Sequence, residues 1–264
     1  MTISYQSMGM VVQETTMNDR IVGLILKQTD YKDASAIVTV LTQQYGKIAL
    51  VANGIRKPKS KNAGRLIPYT KAEFCFDYRE DRTIFTLQSV STISTFKNMH
   101  MDLGCSMCAA VMSEVCDAFV MQGAAVESKE MYFYLEKAFQ YLENHGNVYT
   151  ILALFLVSVM AQYGITPDVD ECVVCSSKYV SAISSREGGF LCANCAQNMK
   201  IQTTDIASLK RFRLLVKGGL KQYSLIAEQT QAKKEDIQIL VDMIFQHTGI
   251  KIRSFALFER LFFD

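Results

Sequence analysis

The sequence predicts an α+β multidomain chain: an N-terminal five-stranded barrel, then an α-helical domain with an inserted four-cysteine module. Three observations carry this. Five short segments, β-branched or alternating, crowd about 70 residues near the N-terminus. From about His100 the apolar spacing switches to the helical period. Two CxxC pairs, Cys172/Cys175 and Cys192/Cys195, stand with 16 residues between them. The boundaries are a poorly ordered leader over 1–18, the barrel over 19–92, helices over 93–171, the cysteine module over 172–199, and further helices over 200–264.

The leader has no apolar run behind a basic start, so it does not read as a signal peptide, and Met17 offers an alternative start. Strands are expected over Ile21–Gln28, Ala36–Thr42 and Lys47–Gly54, broken by the turns TDYKDAS and QQYG. A polar loop, IRKPKSKNAGRLIP, leads to strands over Tyr69–Tyr78 and Arg82–Ser91, joined by the charged turn REDR. These five predict a small antiparallel barrel, of the OB or the SH3-like kind; strand count does not separate the two.

Helices follow over Leu103–Gln122 and Glu127–Glu143, the second with a cap region at Ser128–Met131. A third ends at Gly164, with Pro167 three residues on as a stop signal. Its apolar stretch, Val148–Tyr163, is about 16 residues and carries Thr150, Ser158 and Gln162. A membrane span needs ~20 mostly apolar residues, so this is a core helix. After the cysteines, TTDIASLKRFRLLVKGG ends at Gly218–Gly219, KKEDIQILVDMIFQHTG ends at Gly249, and KIRSFALFERLF forms a last short helix.

Apolar residues make up 49% and charged residues 20%, the balance of a globular protein with a sizeable core. Net charge is +2, but it is unevenly spread: +4 over 1–90, −7 over 91–171 and +5 over 172–264. Two basic ends flank an acidic middle, which points to a polyanion-binding surface on the ends and to packing or a protein partner in the middle.

The paired CxxC knuckles read as a zinc site, because each two-residue spacer brings two soft thiolates to one side of a tetrahedron. The intervening YVSAIS and Gly188–Gly189 turn resemble a zinc ribbon. Four cysteines close the metal shell, whereas a catalytic zinc keeps an open position. No HExxH and no HxE occurs, and His100, His145 and His247 are scattered. One structural zinc on Cys172, Cys175, Cys192 and Cys195 is therefore expected, and no enzyme activity. Cys105 and Cys108 form another CxxC, but it has no second pair, and Cys116 shares its helix; all three read as small core hydrophobes. Phosphate loops, dinucleotide turns and nucleophile elbows are absent.

Arg56, Lys57, Lys59, Lys61 and Arg65 crowd the loop before the fourth strand, an arrangement suited to phosphate contacts. Tyr31, Tyr45 and Tyr69 are nearby candidates for base stacking. A second cluster, Lys210, Arg211, Arg213, Lys217 and Lys221, either lines the same groove or is a polar helix face. The competing readings are a DNA-binding mediator, a zinc-ribbon RNA-binding or transcription-associated protein, a zinc enzyme, and a thiol redox protein using Cys105 and Cys108.

The run GLILKQTDYKDASAIVTVLTQQYGKIALVANGIRKPKSKNAGRLIPYT, the helical middle, YGITPDVDECVVC, GGFLCANC and the tail IRSFALFERL stand in an order and spacing that resemble the RecO family of bacterial recombination-mediator DNA repair proteins. The resemblance spans nearly the whole chain from about Asp19, with a longer leader before it. It implies an N-terminal OB-fold, an α-helical domain and an inserted zinc module. It implies binding of single- and double-stranded DNA, annealing of complementary strands, and work with RecR to load RecA onto strands coated by single-strand-binding protein, whose acidic C-terminal tail the family also binds. It carries zinc onto Cys172, Cys175, Cys192 and Cys195, although some RecO proteins lack these cysteines, and it places Arg56, Lys57, Lys59 and Lys61 where family members carry positive charge. A cytoplasmic, nucleoid-associated bacterial protein is the implied setting.

Overall fold

A computed structural model describes residues 18–57, 60, 62–79 and 82–262. The predicted leader lies outside the described residues except for Asn18, which already begins the first strand. Five strands, β1 (Asn18–Tyr31), β2 (Ser35–Thr42), β3 (Lys47–Ala52), β4 (Lys71–Asp77) and β5 (Ile84–Ser94), close into a barrel in the order β1-β2-β3-β5-β4. Four of the pairings are antiparallel, but β3 and β5 run parallel. This is the Greek-key arrangement of the OB-fold. The expectation of an all-antiparallel barrel fails at this one seam, because the 71–94 hairpin turns back before β5 meets β3.

Alternation in β4 sends Ala72, Phe74 and Phe76 into the barrel core. β1 is longer than its apolar run and carries an irregularity between Ile25 and Lys27. By strand alternation Ile21 and Ile25 fill the barrel, while Leu24 and Leu26, on the opposite face, join the helical core. Gly23 permits the close β1–β2 approach, since a Cβ there would sit 2.3 Å from Val40 Cγ1.

The helical domain comprises α1 (Lys97–Met101), α2 (Leu103–Phe119), α3 (Ala125–Glu143), α4 (Val148–Gln162), α5 (Ala193–Asn198), α6 (Ile206–Gly218), α7 (Tyr223–Gln229), α8 (Lys234–Thr248) and α9 (Arg253–Phe262). α3 begins at Ala125 with no side-chain cap, two residues ahead of the expected Glu127 start and its Ser128–Met131 cap region. α4 is buried at every position from Thr150 to Met160 and packs against its neighbours on all sides. No helix among the described residues is long and apolar enough to cross a membrane. The polar groups that interrupt the apolar run of α4 are employed as anchors. Thr150 Oγ1 accepts from the Ala232 N–H at 2.9 Å, and Ser158 Oγ accepts from the Leu220 N–H at 2.8 Å. The segments that follow α6 and α7 are thus tied to the central helix.

The barrel and the helices are docked by charge as well as by apolar contact. Lys27 and Lys47 bind Asp117 of α2, and Lys71 binds Glu136 of α3 at 2.5 Å. The acidic middle is therefore partly a set of carboxylates aimed at barrel lysines. Gly46, at φ +67°, lets the β2–β3 turn press onto the backbone of Ala124.

Candidate metal centre and nucleic-acid interface

The cysteine module hangs between α4 and α6. Its first knuckle turns tightly after Cys172: the Ser176 N–H donates to Cys172 O at 2.8 Å and the Cys172 N–H to Ser177 O at 2.9 Å. Ser176 adopts φ +57° to complete the turn, the left-handed conformation that glycine favours. Strands β6 (Ala182–Ser184) and β7 (Gly189–Leu191) form a hairpin that carries the chain back to Cys192, and Cys195 lies on α5. All four sulfurs lie within 4.8 Å of one another, and Cys175 Sγ is 3.6 Å from Cys192 Sγ. A tetrahedral ion with metal–sulfur bonds of ~2.3 Å separates its ligands by roughly 3.8 Å, so the cluster fits one metal ion.

Protonation in the cluster is divided. Burial alone raises the Cys172 thiol, but the N–H groups of Cys192, Val174 and Cys175 pull it down to about 6. The Cys195 N–H lowers Cys192. Cys195 is pushed up to about 12 by its hydrogen bond to Cys192 and by desolvation, and Cys175 is raised as well. Four thiolates this close repel one another unless a cation sits among them.

The module is seated by α6 and α8. Phe190 packs on Phe212, Arg213 Nε donates to Val169 O at 2.6 Å, and its guanidinium lies 5.3 Å from the Phe190 ring centroid. Lys217 pairs with Asp170 at 2.5 Å. His247 Nε2 lies 3.0 Å from Ser185 O, at the hairpin. Within the second basic cluster Arg211 and Arg213 are thus turned onto the protein, while Lys217 and Lys221 stay more than half exposed in surface ion pairs. Arg211 is buried in a bidentate pair with Asp236, at 2.6 and 3.3 Å, and Lys221 pairs with Glu130. Lys210 remains on an exposed face. Asp236 stands at the third position of α8, where it also accepts from the Lys233 N–H, but nothing in the linear sequence pairs it with Arg211.

On the barrel, Arg56 and Lys57 are exposed just beyond β3, with Arg56 paired to Asp30 at 3.1 Å. Arg65 is exposed on a single 3-10 turn, and Lys59 and Lys61 lie outside the described residues. Of the three tyrosines, Tyr31 is exposed beside Lys32, whereas Tyr69 packs on Phe139 and His100 between barrel and helices. Tyr45 stacks on Tyr78, a partner the sequence did not single out. Cys105, Cys108 and Cys116 are buried; burial pushes Cys105 up to about 12 and the other two well above the usual thiol range, which makes them inert as redox thiols.

Two family models match the chain: Recombination protein O N terminal over residues 17–96, and Recombination protein O C terminal over residues 100–255. A DNA repair protein RecO from Bacillus pumilus is 27% identical over 237 residues, covering 88% of this chain and 90% of its own. That of Halalkalibacterium halodurans is 26% identical over 246 residues, covering 90% and 93%. That of Desulforamulus reducens is 26% identical over 243 residues, again covering 90% and 93%.

Proposed function

Because the chain belongs to the recombination protein O family, we propose that it is a DNA repair and homologous-recombination mediator that acts by binding DNA, without catalysis of its own. The observation that carries this is the set of exposed cations Arg56, Lys57 and Arg65 beside a closed OB barrel. Arg56, Lys57, Lys59, Lys61 and Arg65 contact phosphates of single- and double-stranded DNA, and Lys210 extends the basic surface. Two complementary backbones screened on one such surface anneal, with base pairing rather than protein contacts reading the sequence. The same binding serves loading of the recombinase RecA with RecR on strands coated by single-strand-binding protein, whose acidic tail is a further partner. The setting is the bacterial cytoplasm, at the nucleoid.

The ion at Cys172, Cys175, Cys192 and Cys195 is zinc in this reading, and when bound it supplies folding energy to a module whose own apolar cluster is small. Backbone N–H groups lower the Cys172 and Cys192 thiols below their ordinary range, and the Phe190–Phe212 contact ties the module to the helical core.

The test is binding of a fluorescent single strand across a salt series, followed by addition of the complementary strand. Affinity that falls steeply with salt, and annealing faster than the protein-free rate, is the expected outcome. An absence of binding at low salt overturns the reading. A preference for RNA in competition moves the protein to the RNA-binding alternative.

A further inference from the structure

All eight cysteines are among the described residues, and only Cys175 is exposed. Cys105, Cys108 and Cys116 are sealed in the helical core, and Cys172 and Cys192 are 1% and 7% exposed. Cys75 and Cys195 lie between these extremes. The knuckle that carries Cys175 projects into solvent, since its neighbours Val174 and Tyr179 are 49% and 89% exposed. A small solute therefore meets the four-sulfur cluster first at Cys175 Sγ.

Behind Cys175 stands Cys192, at 3.6 Å between sulfurs. Backbone hydrogen bonds hold this approach. The Val173 N–H donates to Phe190 O and the Phe190 N–H to Asp168 O, both at 2.9 Å. The first knuckle and the strand leading to Cys192 are thus joined two residues before each thiol, and Phe190 is seated on Phe212. A disulfide needs sulfurs about 2.05 Å apart, so a movement of roughly 1.5 Å bonds the pair. A bond inside the first knuckle is worse placed. Cys172 is buried, and its N–H and carbonyl are already fixed to Ser177 and Ser176.

We propose that Cys175 is an oxidation site, where hydrogen peroxide starts the conversion of the Cys175–Cys192 pair to a disulfide and the release of the bound ion. The Cys175 sulfur attacks one peroxide oxygen and the O–O bond breaks, giving a sulfenic acid and hydroxide. The Cys192 sulfur attacks the oxidised sulfur, the S–O bond breaks and a second hydroxide leaves. Two thiolates, one peroxide and two protons thus give one disulfide and two waters, with two electrons passing from sulfur to oxygen. Cys172 and Cys195 remain as ligands, too few to complete a tetrahedral shell. The disulfide spans the two knuckles, so the hairpin keeps its seat on Phe212 and the module is poised to reload once a thiol reduces it. The inference rests on the metal reading of the cluster above and adds the order in which its sulfurs react.

The experiment treats the full, reduced, zinc-loaded chain with hydrogen peroxide and follows released zinc with a chromogenic chelator. Free thiols are then blocked and the chain is digested with trypsin. Cleavage at Lys178 and Arg186 puts Cys172 with Cys175 on one peptide and Cys192 with Cys195 on another, so only a bond between the knuckles links the two. The bound zinc should appear in solution together with a linked peptide pair that fragmentation assigns to Cys175–Cys192. A dithiol with added zinc should restore the metal content. Cys75→Ser, which removes the half-buried thiol outside the cluster, should respond as the wild type does. Three results overturn the oxidation site while leaving the metal reading intact: zinc retained while Cys75 is oxidised, unlinked peptides that each hold an internal disulfide, or release that a dithiol does not reverse. A reduced chain that binds no zinc overturns the metal reading, and the release step with it; the peptide map still decides whether Cys175 and Cys192 bond.

Discussion

Lys47, the first residue of β3, donates its ammonium to both the backbone carbonyl and Oδ1 of Asp117 in the last turn of α2. Lys27 of β1 reaches Oδ2 of the same carboxylate at 2.5 Å. One acidic side chain thus fastens two barrel strands to the helical domain. Its own side chain is 23% exposed and that of Lys47 12%, so the pair is screened less than a surface ion pair.

Asp117→Asn should therefore loosen the barrel from the helices, with a cost of about 1–3 kcal/mol, because it leaves Lys47 half-buried without a counter-charge. Thermal melting at neutral pH measures the loss. A melting temperature within experimental error of the wild type would show that apolar contacts such as Leu24 and Leu41 hold the domains together unaided.

The pH dependence has a definite sign. Burial raises the Asp117 carboxyl, but hydrogen bonds and charge from Lys27 and Lys47 outweigh it and hold the group below its ordinary range. A depressed folded pKa contributes stability above the unfolded value of about 4, and that stability is lost as pH falls through the folded pKa. The wild type should lose melting temperature below pH ~4 more steeply than Asp117→Asn does. Parallel pH profiles would remove this carboxylate from the acid transition.

Arg211 and Asp236 should matter to stability and not to DNA. Their side chains are 9% and 2% exposed, and the pair joins α6 to the first turn of α8. Arg211→Ala leaves a buried carboxylate unpaired and should cost about 3–5 kcal/mol. The salt slope of DNA binding, measured on folded protein, should stay at the wild-type value; a reduced slope would return Arg211 to the phosphate footprint.

The basic loop makes the opposite prediction. Neutralising Arg56, Lys57, Lys59 and Lys61 together should leave melting unchanged and weaken single-strand binding. The log–log salt slope should shrink by up to about 3, at ~0.7 for each phosphate that the loop no longer neutralises. An unaltered slope would locate the DNA elsewhere on the chain.

Cys172→Ser should release the bound metal and expose the hairpin. Metal content by mass spectrometry should fall, and amide hydrogens of residues 172–195 should exchange faster while those of α4 do not. Unchanged metal content would mean that three thiolates suffice to hold the ion.

Much of the architecture was legible because it depends on local period. The strands of the barrel alternate or are β-branched, and α2, α4, α6 and α8 end within about three residues of their apolar patterns, where Gly, Asn and Asp supply caps and stops. The cysteine cluster was legible because ligand spacing is a sequence property. The second basic cluster was not: Lys210, Arg211, Arg213 and Lys217 form a charged run in any linear reading, yet three of the four are turned onto Asp236, Val169 and Asp170. Those partners lie 25 to 47 positions away, and only packing brings them within reach.

The amino-acid order by itself determined which segments are strand or helix, that four thiols share one site, and that charge alternates in sign along the chain. The tertiary structure alone decided the parallel β3–β5 seam, the division of β1 between two cores, and which cations remain free to meet a polyanion. The reason is physical. Hydrophobic period and thiol spacing act over a few residues, whereas a charge is neutralised by whatever folding places within a few ångströms of it, regardless of distance along the chain.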